Sequence, residues 1–240
     1  MNIKVLYEDN HLIAVFKPAG VLSQGDKTGD ISIFDMVKDY IKEKKNKKTP
    51  LNPSGHSALR ASGSMRQAGN VFLGLVHRLD RPVSGIILFA KTSKGASRLS
   101  EQFRNHQVEK TYHAVVIGRP KENRGVLINS LIKDEKLKKS RHKAEPGSGA
   151  VEVKLYYEII KSNDNYSLLK IKLETGKFHQ IRSQLSLAGF PILGDVKYGA
   201  KIPLSDKGVA LSATGLSFYC ATEDKKVDLS IPIPFELSTP

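Results

Sequence analysis

Residues 74–91 read GLVHRLDRPVSGIILFAK, a polar segment that passes through a proline and glycine turn into an unbroken apolar run. The run Gly85–Lys91 is typical of a buried strand bounded by turn signals. Asp80 lies between Arg78 and Arg81 just before the strand, and nearby cations lower the pKa of a carboxylate and keep it ionised as a nucleophile or base. A salt-bridged structural aspartate at a strand end accounts for the same spacing, so both interpretations stand on these residues alone.

The rest of the chain is a series of short strands with few helices. Alternating apolar residues predict strands at Ile3–Tyr7, Leu12–Phe16, Val108–Gly118, Ala150–Ile160, Tyr166–Glu174, Val209–Tyr219 and Lys226–Ile231. Helical spacing predicts one helix capped by Asp30 or Ser32, one capped by Ser93 and ending near His106, and one over Lys177–Ala188. Because strands and helices do not alternate and no glycine-rich nucleotide motif is present, the pattern predicts a mixed, strand-rich α+β fold without a nucleotide cofactor.

Length and composition are those of an ordinary globular protein. The 240 residues are 40% hydrophobic and 26% charged, which suits one domain over residues 1–240, with a mobile insertion at about residues 51–70 where apolar residues are almost missing. Cys220 is the single cysteine, which excludes an internal disulfide framework and a multi-cysteine zinc site. The longest apolar run, Ile86–Ala90, is far shorter than the ~20 residues that span a bilayer, and the first residues do not read as a signal peptide. We expect a soluble, cytoplasmic protein with no membrane partner.

The charge balance points to a polyanionic partner. With 38 Lys and Arg against 24 Asp and Glu, the formal net charge is +14, which is typical of nucleic-acid binding. Lysines concentrate at Lys38–Lys48 and at Lys133–Lys143. Runs of this kind also occur on solvated surfaces that only maintain solubility, so charge alone favours a nucleic-acid partner without identifying one.

Two further segments group basic and aromatic side chains. Residues 176–182 read GKFHQIR, and helical geometry would bring Lys177, His179 and Arg182 into the first turns of a helix, where unpaired N–H groups favour anions. An amphipathic helix with a solvated basic face explains the same residues. Tyr112 stands among basic residues at a strand start, where an aromatic is either a platform for a base or ordinary strand packing.

Taken in order, these segments resemble the RluA family of RNA pseudouridine synthases. The resemblance covers nearly the whole chain and rests on short motifs that are weak alone and specific in combination: Lys17-Pro18-Ala19-Gly20, His77-Arg78-Leu79-Asp80 with Ser84-Gly85 and Ala90-Lys91, Lys110 with Tyr112, Lys143-Ala144-Glu145-Pro146, Gly176–Arg182, and Gly189 with Pro191–Asp195 and Tyr198-Gly199. The family implies an α+β fold with a mixed, mostly antiparallel sheet core and a few flanking helices.

The resemblance also implies roles for individual residues. Asp80 matches the catalytic aspartate, Tyr112 the aromatic that lies against the target base, and Arg182 the basic residue that pairs with the aspartate. Arg78 matches the residue that fills the helical stack vacated by the flipped nucleotide. Besides Arg78, we expect contacts with RNA from the side chains of His77, Lys177, His179 and Lys17.

The reaction implied by the family is isomerisation of a uridine in tRNA or rRNA. The N1–C1′ bond breaks, the uracil turns, and C5 joins C1′. Nothing is transferred in or out, so we expect no cofactor and no metal, and the enzyme is predicted to be a monomer.

Three features depart from the family pattern. Val83 stands where the family has a threonine, Lys177 replaces an arginine and so loses its bidentate geometry, and the segment Ser54–Gly69 has no counterpart. The sequence also starts at the catalytic domain, which predicts that the small N-terminal RNA-binding domain of many relatives is absent. None of these departures touches Asp80.

Two other functions remain open on the sequence. A non-catalytic RNA-binding protein on the same fold would keep the basic surface while tolerating loss of Asp80, and the intact Arg78-Leu79-Asp80 and Arg182 argue against it. A metal-independent ribonuclease would use His77 or His179 as acid and base and would cleave the strand.

Overall fold

The computed structural model describes residues 3–48, 71–142 and 149–237. The predicted insertion at about residues 51–70 and the motif Lys143-Ala144-Glu145-Pro146 lie outside the described residues. In chain order the described elements are β1 (Lys4–Glu8), β2 (Leu12–Lys17), α1 (Ile33–Lys48), β3 (Gly74–Leu75), β4 (Ser84–Ala90), α2 (Ser93–Arg104), β5 (Glu109–Ile117), β6 (Arg124–Asp134), β7 (Lys139–His142), β8 (Val151–Ser162), β9 (Tyr166–Leu173), α3 (Gln180–Leu187), a 3₁₀ turn (Val196–Tyr198), β10 (Leu211–Tyr219) and β11 (Lys226–Ser230).

The described strands form one sheet. Their order is β1-β2-β4-β10-β5-β9-β8-β6-β7, with β11 beside β10 and β3 beside β4. Among these pairs, β4 and β10 run parallel where Ser84–Gly85 meets Ser212–Ala213, and the others are antiparallel. The predicted mixed, mostly antiparallel α+β fold is therefore confirmed, whereas a single domain over residues 1–240 stays a prediction.

Strand β4 is apolar throughout because both of its faces are covered. Successive side chains of a strand point to opposite faces of the sheet. Ile87 and Phe89 pack in the cluster that α1 and α3 cover, and Ile86 and Leu88 pack in the cluster that α2 covers. All four are buried, and each such side chain contributes about 1.5–3 kcal/mol to folding. The apolar run that defines β4 in the sequence thus forms the centre of the fold.

The structure differs from the sequence prediction at the β6–β7 hairpin and at the beginnings of two helices. Residues 124–142 form the β6–β7 hairpin, which the sequence analysis does not predict, because β6 and β7 lie at the sheet edge and expose much of their surface. Helix α3 begins at Gln180, three residues later than predicted, because His179 adopts a left-handed φ of 50°. Helix α2 is capped by the hydroxyl of Thr92 and not by Ser93.

The candidate functional residues meet where β4 and β10 run parallel. Gly85 has a φ of 127°, and a Cβ at this position would clash with the backbone of Ala213, so glycine allows the two strands to meet. The loop of residues 76–83, called here the Asp80 loop, leads into β4 at this point. On the other side of β10, β5 pairs Tyr112 with Ala213. The sheet therefore brings the Asp80 loop and Tyr112 to the two sides of one strand.

Candidate active site

Asp80 lies in its loop just before the turn that leads into β4. Its carboxylate oxygen Oδ2 accepts a hydrogen bond from Arg182 Nη1 at 3.1 Å, and His179 Nε2 lies 3.6 Å from the same oxygen. The Asp80 side chain keeps 23% of its surface exposed, so a substrate can reach the carboxylate from solvent. The fold thus joins Asp80 to Arg182, the residue that the resemblance assigns as its partner, across 102 positions of sequence.

The two arginines beside Asp80 in the sequence make other contacts or face solvent. Arg81 donates from Nε to the carbonyl of Gly20 at 2.9 Å, and its guanidinium pairs with Asp30 at 2.7 Å. Arg78 is exposed. The expectation that these two neighbours hold the Asp80 carboxylate ionised is therefore wrong.

The pKa of Asp80 also moves in the opposite direction from the sequence expectation. Burial raises this pKa above its usual range, and the charges of Arg182, Lys17 and Lys197 oppose the rise only in part. A carboxylate with a raised pKa accepts a proton more readily near neutral pH than an exposed aspartate does. Asp80 therefore combines access to solvent with the properties of a general base or nucleophile.

Arg182 is held by a second carboxylate. Its Nε and Nη2 donate to the two oxygens of Asp195 at 2.6 and 2.8 Å, a bidentate pair in which Arg182 is 4% exposed and Asp195 is 1% exposed. The guanidinium also lies 5.0 Å from the ring centroid of Tyr198. Planar bidentate pairing restricts the orientation of a guanidinium. Asp195 therefore directs the remaining nitrogen, Nη1, at Asp80.

His179 connects Asp80 to a second hydrogen-bonded chain. Its Nδ1 lies 2.9 Å from the hydroxyl of Tyr198, which accepts the backbone N–H of Ser140 at 2.7 Å. The same hydroxyl also donates to the carbonyl of Ser140 at 3.5 Å, so Tyr198 joins His179 to the backbone of β7. Burial, together with the charge of Arg182, lowers the pKa of His179 to about 3, so the imidazole is neutral at neutral pH.

Tyr112 lies on β5, near enough to the same carboxylate for the charge of Asp80 to affect its pKa. It is 8% exposed, and burial together with the negative charge of Asp80 raises the pKa of its hydroxyl. The phenol therefore stays protonated at neutral pH. The predicted catalytic set of Asp80, Tyr112 and Arg182 is thus brought to one place.

Two residues predicted to contact RNA are packed into the fold instead. Lys17 is 0% exposed and its ammonium donates to backbone carbonyls, among them that of Val21 at 2.7 Å. The ring of His77 stacks on Phe103, and its Nε2 accepts the N–H of Leu88 at 2.9 Å. Burial lowers the pKa of His77 to about 3. Neither group is placed to contact a phosphate, so the prediction of RNA contacts does not hold for Lys17 and His77.

The other predicted RNA contacts lie on the surface around Asp80. Arg78 is exposed in the Asp80 loop, and Lys177 is exposed in the turn that precedes α3. Since α3 begins only at Gln180, Lys177 and His179 precede the helix, and of the three basic residues only Arg182 lies in its first turn. His179 instead lies against Asp80, as described above.

The β6–β7 hairpin brings part of the second lysine cluster to the site. Lys133 Nζ lies 5.3 Å from the ring centroid of Phe178, and Lys139 Nζ lies 5.1 Å from that of Tyr198. In the first lysine cluster, on α1, Lys44 is paired with Glu8 at 2.5 Å. The hairpin therefore places two lysines against aromatic side chains beside the site, although Lys133 also pairs with Glu135 at 2.7 Å.

Sequence reasoning assigned no role to three side chains that shape the site. Asp195 and Tyr198 belong to the motifs quoted in the sequence analysis but are given no function there. Their place in those motifs is the signal that could have identified them as site residues. Ser23, whose hydroxyl contacts the backbone of Leu79, stands in a segment with no motif. Contacts of this kind depend on tertiary structure and leave no periodic trace in the sequence.

Two absences among the described residues bear on metals and membranes. Within 3–48, 71–142 and 149–237, no group of three or more His, Cys, Asp and Glu side chains is placed to hold a metal ion. In the same part of the chain, no helix has the length and apolar character needed to cross a membrane. A metal-independent site stays a prediction.

Comparison with known proteins gives one consistent result. The sequence profile of RNA pseudouridylate synthase matches residues 11–187. The chain is 32% identical over 234 residues to ribosomal large subunit pseudouridine synthase C of Rickettsia typhi, covering 96% of this chain and 68% of that protein. It is 31% identical over 210 residues to tRNA pseudouridine synthase C of Yersinia pestis, covering 82% and 70%. The solved structure of human RNA pseudouridylate synthase domain containing 4 has a similar fold, with a TM-score of 0.71, 23% identity, and coverage of 96% and 88%.

Proposed function

The chain belongs to the RNA pseudouridylate synthase family and isomerises uridine in RNA, and on that premise we propose that Asp80 is the carboxylate that performs the isomerisation. The observation that carries the proposal is the 3.1 Å hydrogen bond from Arg182 to a carboxylate that remains accessible to solvent. In the reaction the N1–C1′ bond of uridine breaks and a C5–C1′ bond forms. Uracil N1 ends with a proton and C5 loses one, so atoms balance without a co-reactant.

Asp80 acts on the ribose, either as a nucleophile or by removing a ribose proton. Both routes require the ionised carboxylate, which burial alone disfavours. Arg182 offsets that cost because its charge and its hydrogen bond favour the ionised form. Asp195, by holding the guanidinium, keeps this cation on the Asp80 side of the pocket.

The target base must leave its stack before Asp80 can reach the ribose. Flipping a nucleotide costs a few kcal/mol for unstacking. Tyr112 supplies an aromatic face for the flipped uracil, and Arg78, exposed in the Asp80 loop, occupies the position that the base vacates. Lys177 and the lysines of the β6–β7 hairpin bind phosphates and position the RNA without reading its sequence.

We propose ribosomal RNA as the first substrate to test and transfer RNA as the second. The relative named for the ribosomal large subunit covers 96% of this chain, and the relative named for tRNA covers 82%. The two other functions left open by the sequence lose support. The family is catalytic, and the pKa values of His77 and His179, either of which a ribonuclease would use, are both lowered to about 3, so both imidazoles are neutral. A cytoplasmic location and a monomeric state stay predictions.

The test is release of tritium from RNA that carries tritium at uracil C5. Wild-type protein is incubated with transcripts of large-subunit rRNA and, separately, with a pool of tRNA transcripts. We expect release from at least one of them with wild type and none with Asp80→Asn. Release at a similar rate with Asp80→Asn would remove Asp80 from the mechanism, and strand cleavage on a gel would indicate a ribonuclease.

A further inference from the structure

The Asp80 loop is anchored on one side by a buried serine. Ser23 Oγ donates to the carbonyl of Leu79 at 2.6 Å, and the same oxygen accepts the N–H of Leu79 at 3.1 Å. Ser23 is 6% exposed. One hydroxyl therefore satisfies both backbone groups of the residue that precedes Asp80, which restricts the peptide groups on both sides of Leu79.

The residue that follows Asp80 is anchored by the same part of the chain. The carbonyl of Arg81 accepts from Lys17 Nζ at 3.2 Å and from the N–H of Gly20 at 2.8 Å. Lys17 also donates to the carbonyls of Pro18 and Val21 at 3.0 and 2.7 Å. Lys17 is completely buried, so its ammonium is held by these carbonyls and ties the segment after β2 to the Asp80 loop.

We propose that Ser23 and Lys17 are positioning residues for Asp80, holding the backbone on both sides of it so that its carboxylate meets Arg182 and the ribose in one fixed geometry. The proposal rests on the assignment of Asp80 as the catalytic carboxylate. Neither side chain touches the substrate in this scheme, because both are buried behind the loop. It replaces the expectation that Lys17 binds RNA and assigns a function to Ser23, which the sequence analysis did not single out.

The charge of Lys17 supports this placement. Burial lowers the pKa of Lys17 to about 7, and the charge of Asp80 opposes that change. The charge of Lys17 in turn opposes the rise that burial causes in the pKa of Asp80. The two groups therefore favour each other's charged forms, which links the buried ammonium to the carboxylate that it helps to position.

The test compares Ser23→Ala with Ser167→Ala. Ser167 is a matched control, because it is 0% exposed and its hydroxyl donates to a backbone carbonyl, that of Gly118, at 2.9 Å. It lies in β9 four residues from Ile171, which pairs with Tyr112, and so is remote from the Asp80 loop. Leaving a buried backbone group without its hydroxyl partner costs about 1–3 kcal/mol, which should lower Tm by about 2–12 °C in either variant. Stability alone therefore cannot separate the two serines, but the rate can.

The readouts are the single-turnover rate at saturating RNA and the Kd for the same tritiated transcript, at a temperature where circular dichroism shows each variant folded. We expect Ser23→Ala to lose about 10- to 100-fold in saturated rate with little change in Kd, since a displacement of about 1 Å in a reacting group costs on the order of 100-fold. Ser167→Ala should keep the wild-type rate. Lys17→Met should lose rate in the same way as Ser23→Ala.

Two outcomes overturn the proposal. The first is a saturated rate for Ser23→Ala equal to that of Ser167→Ala, which would make Ser23 a purely structural residue. The second is a loss in either site variant that added RNA restores in full, which would indicate a binding role. Failure of the proposed function would look different, because wild type would then release no tritium or Asp80→Asn would remain active.

Discussion

Replacing Arg182 with alanine removes the cation that lies between two carboxylates. In the wild type the guanidinium makes hydrogen bonds of 2.6 and 2.8 Å to Asp195 and of 3.1 Å to Asp80. Removing one partner of a buried ion pair costs about 3–5 kcal/mol. At about 2–4 °C per kcal/mol for a chain of this size, Tm should fall by about 6–20 °C.

The same substitution should slow the reaction even when RNA is saturating. Burial already raises the pKa of Asp80, and without Arg182 only Lys17 and Lys197 remain of the cations that oppose the rise, beside a neutral His179. The pKa of Asp80 should therefore rise further, and less of the carboxylate is ionised at a given pH. We expect the acid limb of the pH–rate profile to move to higher pH, so that raising the pH restores part of the rate.

Two control variants separate stability from catalysis. Arg182→Ala/Asp195→Asn removes the stranded charge of Asp195, so it should be more stable than Arg182→Ala by about 0.5–3 kcal/mol while remaining slow. Arg124→Ala breaks an ion pair with Glu158, in which the arginine is 78% exposed. That loss should stay within about 1 kcal/mol, as for other exposed pairs, with the saturated rate unchanged.

The assay is single-turnover tritium release across RNA concentration and pH, combined with thermal melts of the four proteins. The reasoning is refuted if more RNA restores the rate of Arg182→Ala in full, because Arg182 would then be one more phosphate contact. It is also refuted if Arg182→Ala and Arg124→Ala have the same Tm, since the buried ion pair with Asp195 would then contribute no more to stability than an exposed ion pair does.

Three further predictions follow from the described contacts. Asp80→Asn should abolish turnover yet melt at a higher temperature than wild type at neutral pH, because the raised pKa of Asp80 means that its ionisation lowers the stability of the folded protein. This difference in stability should vanish below about pH 4, where Asp80 is protonated in both the folded and the unfolded protein. A variant that is less stable than wild type at neutral pH would contradict this reasoning. Lys136, between β6 and β7, and Lys177, before α3, are both exposed. Replacing the two with alanine should weaken RNA binding and reduce the slope of log K against log salt by about 0.7 per lost phosphate contact, while the rate at saturating RNA stays unchanged. An unaltered slope would show that neither lysine contacts the RNA. Arg78→Ala should slow reaction of a base-paired target more than that of an unstructured oligonucleotide, because only the former has a stack to fill; equal losses would contradict that role.

Much of the fold could be predicted from the sequence because its central strands carry either a continuous apolar run, as in β4, or alternating apolar residues. The run at β4 and the alternation in β5, β9 and β10 predicted strands whose ends agree with the structure to within about two residues. The β6–β7 hairpin was missed because its strands lie at the sheet edge, where packing demands less of the sequence. The start of α3 was misplaced because His179 adopts a left-handed conformation. Its Nδ1 contacts the hydroxyl of Tyr198, which is 19 residues away in the sequence, and a tertiary contact of this kind cannot be read from the local sequence.

Residues of the site could be predicted from the sequence only where they belong to the family motifs. They paired Asp80 with Arg182, and the structure brings the two side chains together. The sequence neighbours suggested the wrong cations for Asp80, since Arg81 is bound to Gly20 and Asp30. Burial, which decides the direction of the pKa of Asp80, is a property of the folded chain and could not be read from the charges that flank it.

The most direct test of the account is a pseudouridine map of total RNA from cells that lack this gene, made before and after incubation of that RNA with the purified protein. Wild type should add pseudouridine at one or a few defined uridines, and Asp80→Asn, confirmed as folded and able to bind the RNA, should add none. The same sites modified by both proteins, or no new site with wild type on RNA that lacks the modification, would contradict the claim that Asp80 isomerises uridine in RNA.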